Sequence, residues 1–321
     1  MSDKPKLLVT RRMPDAVTER IERDYDATLN ADDKIFGADE IIQGSEGMDA
    51  ILATPTEKLS ASVIAELPDS VRIVANFAVG YDHVDVQAAA ERDIVVTNTP
   101  DVLTDATAEI NVLCMLGAAR RAGEAERLVR RGAWKAWSTE FMVGKEMSGA
   151  RVGILGMGRI GRAVAERCRG FAMAIHYHNR RRLSPDEEQG ATYHETPESL
   201  FEVSDFLSIN CPATNETRGL VNARRIELLP DGAVIANTAR GPIVDDEALI
   251  AALKSGKVAA AGLDVFNNEP NLHPGYLELE NAFLLPHIGS ATVKTRNAMG
   301  FRALDNLDAF FAGDTPGDRV N

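Results

Sequence analysis

The chain has 321 residues, of which 45% are hydrophobic and 26% charged, a globular composition that excludes a disordered chain. Its formal net charge of −13 excludes a general nucleic-acid binder, whose affinity rests on a basic surface that neutralises phosphates. The length exceeds what one hydrophobic core normally organises and, at about 150 residues per domain, predicts two domains. Short apolar runs at Leu7 to Thr10, Ala50 to Ala53, Arg72 to Ala78 and Ile94 to Thr97 read as strands, with helical patterns at Ala61 to Leu67 and Val84 to Arg92 between them. Such alternation predicts a parallel α/β sheet. Asn98-Thr99-Pro100-Asp101 is a turn-rich segment suited to a domain junction, and Thr104 to Arg121 beyond it is a long helical pattern.

A second series opens at Val152 to Leu155 and continues with strand-like runs at Ala174 to His178, Phe206 to Cys211, Ala233 to Thr238, Ala260 to Phe266 and Ala282 to Pro286. Six strands with intervening helices predict a complete doubly wound sheet. A last helical pattern, Thr292 to Phe311, either extends this second domain or crosses back to the first, and periodicity alone does not decide. Cys114, Cys168 and Cys211 form no C-x-x-C pair and sit in apolar stretches, as reduced, buried cysteines of a cytoplasmic protein would. No run has the length of a membrane span and the amino terminus lacks a signal-peptide pattern, so no membrane association is expected.

Gly156-Met157-Gly158-Arg159-Ile160-Gly161 follows a strand and opens a helix at Arg162 to Phe171, the context that makes this glycine spacing a dinucleotide fingerprint. The glycines permit the turn, the approach of a pyrophosphate and close helix packing, with helix amides aimed at the negative charge. About 20 residues on, a carboxylate would hold the adenosine ribose of NAD. Here the chain reads His178-Asn179-Arg180-Arg181-Arg182. An anionic 2′-phosphate is repelled by an acid and attracted by guanidiniums, so Asn179, Arg180 and Arg181, with Arg182 as a further candidate, predict NADPH as the preferred cofactor and NAD as the weaker one. The bland alternative is a solvated charge run.

Three residues with chemical capacity each lie just after an expected strand: Arg240, Glu269 and His287. Reduction of a ketone needs a proton for the developing alkoxide, which His287 can supply if Glu269 keeps its imidazolium populated, while Arg240 can fork onto a carboxylate and carbonyl. The structural alternative is a hydrogen-bonded histidine and a solvated arginine. No metal site is expected.

At these residues the sequence resembles the D-isomer-specific 2-hydroxyacid dehydrogenases, through Val79-Gly80-Tyr81-Asp82-His83-Val84-Asp85, Thr107-Ala108-Glu109, the glycine fingerprint, Cys211-Pro212-Ala213-Thr214, Ala239-Arg240-Gly241, Asp264-Val265-Phe266, Glu269-Pro270 and Pro286-His287-Ile288-Gly289-Ser290. The resemblance implies that Arg240 binds the 2-keto acid, that Glu269 pairs with His287, and that His287 exchanges the proton. Backbone amides around Ala78, Val79 and Gly80 would receive the substrate carboxylate, and Asp264 would meet the nicotinamide carboxamide. Thr107, Cys211, Pro212, Thr217, Thr238 and Ala239 would lie along the cofactor, together with Arg159, Ile160, His287 and Gly289.

The same resemblance implies a Rossmann cofactor domain, at about 101 to 288, inserted into a flavodoxin-like substrate domain of 1 to 100 plus 289 to 321, with domain closure excluding water. The last helix then crosses back. The arginine run together with Trp134-Lys135-Ala136-Trp137 looks most like the glyoxylate and hydroxypyruvate reductases, in which the loop around the second tryptophan approaches the partner of a homodimer. Trp137 is accordingly a secondary substrate-site candidate; packing at the dimer interface is its alternative. Two rival readings are a dehydrogenase for a bulkier 2-keto acid and a nucleotide-sensing corepressor of the C-terminal-binding-protein kind, which turnover of cofactor with small 2-keto acids separates.

Overall fold

Lys6-Leu7-Leu8-Val9 forms β1 (Lys6–Val9), buried along all but its first residue. The computed structural model in which it is seen describes residues 4–321. Val17 and Ile21, four residues apart, give α1 (Asp15–Asp24) one buried face. β2 (Asp26–Leu29) alternates exposed with partly buried residues, as an edge strand does. α2 (Ala38–Gly44) leads into β3 (Ala50–Ala53), which is buried on both faces. α3 (Ala61–Glu66) starts where the Ser60 side chain accepts the Val63 N–H, and β4 (Ile73–Asn76) is again wholly buried. α4 (Val86–Glu91), capped by Asp85, precedes β5 (Val95–Thr97). All five strands are parallel, in the order β2-β1-β3-β4-β5, the flavodoxin-like order.

The second series begins with α5 (Thr104–Ala119) and α6 (Ala122–Arg130). β6 (Arg151–Leu155) is fixed at its start by Arg151, whose guanidinium and backbone N–H both donate to Asp205. There follow α7 (Arg159–Gly170), β7 (Ala174–His178), α8 (Pro185–Glu188), β8 (Thr192–Tyr193), α9 (Pro197–Phe201) and β9 (Phe206–Ile209). α10 (Ala223–Ile226), β10 (Ala233–Asn237), α11 (Asp246–Ser255), β11 (Val258–Leu263) and β12 (Ala282–Leu284) complete it. These strands form one parallel sheet of seven, β12-β11-β10-β9-β6-β7-β8, which is the Rossmann order with one strand added. Gly262 lets α5 lie close against β11: a Cβ there would stand 2.2 Å from the Cys114 carbonyl oxygen.

The last helix, α12 (Val293–Ala312), returns to the first sheet, where Gly300 meets Val17 of α1. The chain thus divides into two units, one of the described residues up to Leu103 with Ser290–Asn321, the other Thr104–Gly289. The fold is α/β with two parallel sheets. Among the described residues no helix is long and apolar enough to cross a membrane. All three cysteines are buried and unpaired, and burial pushes the thiol of Cys168 up to about 12 and that of Cys211 up to about 11.

Elements absent from the sequence reading are α1, β2, α2, α6 and β8, and the helices between the later strands are expected there without bounds. Several of the strands that it did find are shorter at their carboxyl ends: the ladder stops at Asn76 rather than Ala78, at Ile209 rather than Cys211, and at Leu263 rather than Phe266, whereas β3, β5, β6 and β7 end where the sequence placed them. Helix α7 starts three residues earlier than expected, at Arg159, inside the glycine segment.

Candidate active site

The two outer glycines of the fingerprint answer to the fold. Gly156 has φ +95°, and a Cβ on it would lie 2.5 Å from the Cys211 backbone nitrogen; one on Gly161 would lie 2.3 Å from the Gly156 carbonyl oxygen. Gly158 is different: a Cβ there meets nothing within 4 Å, so its backbone borders open space at the start of α7. Bare backbone beside a helix N-terminus is what a pyrophosphate requires, and the loop fits a dinucleotide.

Asn179 stands where an acid would hold the ribose, yet its side chain has another task. Its Oδ1 accepts the Met157 N–H at 2.6 Å and its Nδ2 donates to the Met157 carbonyl at 3.3 Å, tying the end of β7 to the glycine loop. Arg180 and Arg181 are exposed and donate no hydrogen bond among the described residues; Arg180 lies within electrostatic reach of Glu216. Arg182 forks onto Glu188 at 2.7 and 3.1 Å.

Further loops follow β9 and β10. Thr217 Oγ1 donates to the Pro212 carbonyl at 2.6 Å and closes the turn after Cys211. Thr238 Oγ1 accepts from Asn111 Nδ2 at 2.9 Å, Asn111 Oδ1 accepts from Ser208 at 2.7 Å, and Ser208 accepts from Asn210 at 2.8 Å. Asn237 accepts the Ala239 N–H and donates to the Arg240 carbonyl, which shapes the segment carrying Arg240. Sequence reasoning missed Asn111, Ser208 and Asn237, although fully buried amides and hydroxyls inside apolar runs are a readable signal.

His287 and Glu269 meet: Nδ1 lies 2.6 Å from Oε2. An ionised carboxylate only accepts, so Nδ1 carries the hydrogen and Nε2 is left as the outward nitrogen. Glu269 Oε1 also accepts the Phe266 N–H at 2.8 Å. Burial pushes the Glu269 carboxyl up, but the hydrogen bond and charge of His287, the Phe266 N–H and the nearby Arg240 outweigh it and hold the group below the usual range. Asp264 is buried beside them; its two oxygens accept the N–H groups of Ile288 at 2.7 Å and Gly289 at 2.8 Å, while burial raises its carboxyl against those bonds. Thr107 Oγ1 donates to the Gly289 carbonyl at 3.3 Å. His287 has φ +54°, a left-handed backbone that a non-glycine residue holds only under constraint. Asp264 and Thr107, which the sequence suggested as cofactor contacts, supply that constraint.

Ala78, Val79 and Gly80 lie in the other unit, directly after β4. Trp137 is 76% exposed, in a largely exposed stretch between α6 and β6. Among the described residues no cluster of His, Cys, Asp and Glu could hold a metal ion.

Comparison with known proteins places this geometry. Residues 112–289, more than half of the chain, match the D-isomer specific 2-hydroxyacid dehydrogenase, NAD binding domain. The sequence is 43% identical over 312 residues to a glycerate dehydrogenase of Hyphomicrobium methylovorum, covering 97% of each chain. It is 41% identical over 323 residues to a glyoxylate reductase of Pyrococcus furiosus, covering 99% of this chain and 96% of that one. Among solved structures, an NADPH-dependent glyoxylate/hydroxypyruvate reductase from Sinorhizobium meliloti in complex with NADP and malonate is similar with a TM-score of 0.86 at 37% identity, over 99% of this chain and 97% of that one.

The glycines give a test that separates folding from binding. Gly156→Ala should lose roughly 1–3 kcal/mol of stability or more, because neither its φ nor its neighbours admit a Cβ. Gly158→Ala should cost the free protein at most about 1 kcal/mol yet weaken NADPH at least about tenfold. Thermal melts and a cofactor-fluorescence titration check both; a Gly158→Ala protein that binds NADPH like the wild type would show that no phosphate approaches that backbone.

Proposed function

The chain belongs to the D-isomer-specific 2-hydroxyacid dehydrogenases, NAD(P)-dependent enzymes, and on that premise we propose that it reduces small 2-keto acids of the glyoxylate and hydroxypyruvate type to D-2-hydroxy acids, with NADPH as the preferred cofactor. The observation that carries the reading is the His287–Glu269 pair, held at 2.6 Å on a backbone that Asp264 fixes. The names of the relatives, glyoxylate reductase and glycerate dehydrogenase, support the substrate class.

The cofactor would lie along Gly156, Gly158 and Gly161, with Cys211, Pro212, Thr238 and Ala239 beside it, and when bound it supplies the hydride. Arg240 orients the keto acid by forking onto its carboxylate and carbonyl oxygens, and Val79 and Gly80 present backbone amides to the carboxylate, the Ala78 N–H being bound to the Asn76 carbonyl. His287 holds a proton on Nε2 and releases it to the substrate oxygen as that oxygen becomes a hydroxyl. Glu269, by accepting from Nδ1, fixes which nitrogen faces outward. In the reverse direction His287 takes the proton back.

His287→Ala should lower kcat by at least ~100-fold, the range of general acid catalysis, with NADPH affinity unchanged. Glu269→Gln should lower kcat by roughly tenfold or more, because an amide can turn its NH2 toward Nδ1 and no longer fixes which nitrogen faces the substrate. Rates of His287→Ala within a few-fold of wild type would remove the proton relay.

NADPH preference is supported by the absence of an acid at Asn179 and by two exposed arginines, Arg180 and Arg181, with no hydrogen-bonding partner among the described residues. Charge-assisted hydrogen bonds worth about tenfold each predict roughly 100-fold discrimination from two, weakened by salt at this exposure. The check is kcat/KM for NADPH and NADH at one ionic strength, in the wild type and in an Arg180→Ala, Arg181→Ala double variant. Equal use of both cofactors by the wild type, or an unchanged ratio in the variant, returns these arginines to solvated surface.

The enzyme is further proposed to be a homodimer. Helix α6 buries no side chain, and six of the ten exposed large apolar side chains among the described residues are Leu113, Val129, Trp134, Trp137, Phe141 and Val143. A second copy covering that surface accounts for both features. Sedimentation should give a dimer, and Trp137→Ala should weaken it or the affinity for substrate; a wild-type monomer at micromolar concentration would end the proposal.

A further inference from the structure

The segment after β4 has its carbonyl groups bound and two of its amides unused. Asn76, the last residue of β4 and fully buried, donates from Nδ2 to the Ala78 carbonyl at 3.3 Å and to the Gly80 carbonyl at 2.9 Å. Asn98, 8% exposed beyond the end of β5, donates from Nδ2 to the Val79 carbonyl at 2.9 Å. The Thr99 N–H adds a second bond to the Ala78 carbonyl, at 2.9 Å. Every carbonyl of Ala78-Val79-Gly80 is therefore satisfied by the unit to which the segment belongs.

The amides differ. The Ala78 N–H is spent on the Asn76 carbonyl at 2.8 Å, while the N–H groups of Val79 and Gly80 find no acceptor among the described residues. Two half-buried donors in succession, with the neighbouring carbonyls drawn onto other partners, make a receptor for an anion. Between Phe77 and Asp82 there is no cationic side chain, so attraction for a carboxylate here rests on the backbone.

We propose that Asn76 and Asn98 are positioning residues for the substrate carboxylate, acting by holding the three carbonyls of Ala78-Val79-Gly80 so that the Val79 and Gly80 amides are free to receive it. The inference rests on the proposed function, which supplies the 2-keto acid as ligand, and goes beyond it in assigning these side chains. The orientation of Asn76 follows from its bonds: two carbonyl acceptors require its NH2 end, which leaves Oδ1 to accept from His83 Nε2 at 3.1 Å. His83 thereby fixes the amide that fixes the segment. Asn98 is held in turn, its N–H donating to the Asp318 carbonyl at 3.2 Å and its carbonyl accepting from Asn306 at 3.4 Å.

Loss of an amide tie frees a carbonyl to turn toward the anion, where it repels. Removing binding that is equal in ground and transition states raises KM and leaves kcat. Asn76→Ala and Asn98→Ala should each raise KM for glyoxylate about tenfold, and raise Kd for oxamate, an unreactive 2-keto acid analogue, in parallel, with kcat within about threefold of wild type. Asn98→Asp, isosteric but with a negative charge in place of the donor, should exceed Asn98→Ala in both readouts. NADPH affinity should not move in any variant, which a general loosening of the fold would not predict. If Asn76→Ala fails to fold, the Asn98 pair carries the test, because it removes a single tie. Wild-type KM and oxamate affinity in both Asn98 variants would overturn the proposal and leave the function standing. A wild-type protein that reduces no 2-keto acid with either cofactor would instead overturn the function, and the ligand assigned here with it.

Discussion

A buried carboxylate that accepts two consecutive backbone N–H groups governs the chemistry of this molecule. Asp264 sits at the end of β11, desolvated, and binds the amides of Ile288 and Gly289. Those bonds hold the backbone of His287 in the left-handed region, at a cost on the order of 1–3 kcal/mol for a residue with a Cβ, and charge-assisted bonds of this kind are strong enough to offset it. The Glu269 carboxylate, for its part, is aimed by the Phe266 N–H, three residues back in its own loop. The hydrogen-bonded pair is thus set by backbone on both sides, from the segment after β11 and from the segment after β12.

The same division of labour recurs along the edge of the sheet. Gly156 and Gly161 are glycines because backbone crowds them, and Asn179 binds both backbone polar atoms of Met157, so the glycine loop is held by the protein's own hydrogen bonds. Behind Thr238, the buried chain Asn210, Ser208, Asn111 passes hydrogen bonds from β9 to α5 to the end of β10. Ser208 and Asn111, buried and bonded to each other, cost little and specify one arrangement, whereas the buried Oδ1 of Asn210 has no hydrogen-bond partner among the described residues. Preorganisation here is a property of the supports, and the residues that would touch ligand inherit it.

Much of this was legible in the sequence because the parallel strands are buried on both faces and read as continuous apolar runs, and because the glycine spacing, the strand before it and the helix after it agree with one another. What escaped has identifiable causes. Asp-Ala-Thr-Leu of β2 and Thr-Tyr of β8 are an edge pair with mixed polarity, so neither carries the apolar signature of a central strand. Helix α1 shows only Val17 and Ile21 to the core in ten residues. The overshoot of strands at their carboxyl ends has a physical meaning: Phe77, Cys211 and Val265 remain buried after the ladder has stopped, so hydrophobicity continues into loops whose backbone hydrogen bonds have gone elsewhere. Those loops hold the candidate site. Pairing of Glu269 with His287 came from the resemblance and from charge logic, while the backbone service of Asp264 and Thr107 left no mark in residue order, since it depends on where two peptide N–H groups point.

Because α12 belongs with the first sheet, the order in which the ribosome delivers the chain does not match the order in which its units can be completed. The first five strands emerge early, yet Val96 donates its N–H to Asn321, Asn98 binds Asp318 and Asn306, and Gly300 seats against Val17. All of those partners come after the entire seven-stranded unit. Domains usually fold amino-terminal first during synthesis. Here the amino-terminal unit lacks α12 until the inserted unit has been synthesised, and the crossing that ends this delay lies only two residues beyond His287. Vectorial synthesis therefore delivers His287 just before the carboxyl-terminal helix that completes the outer unit.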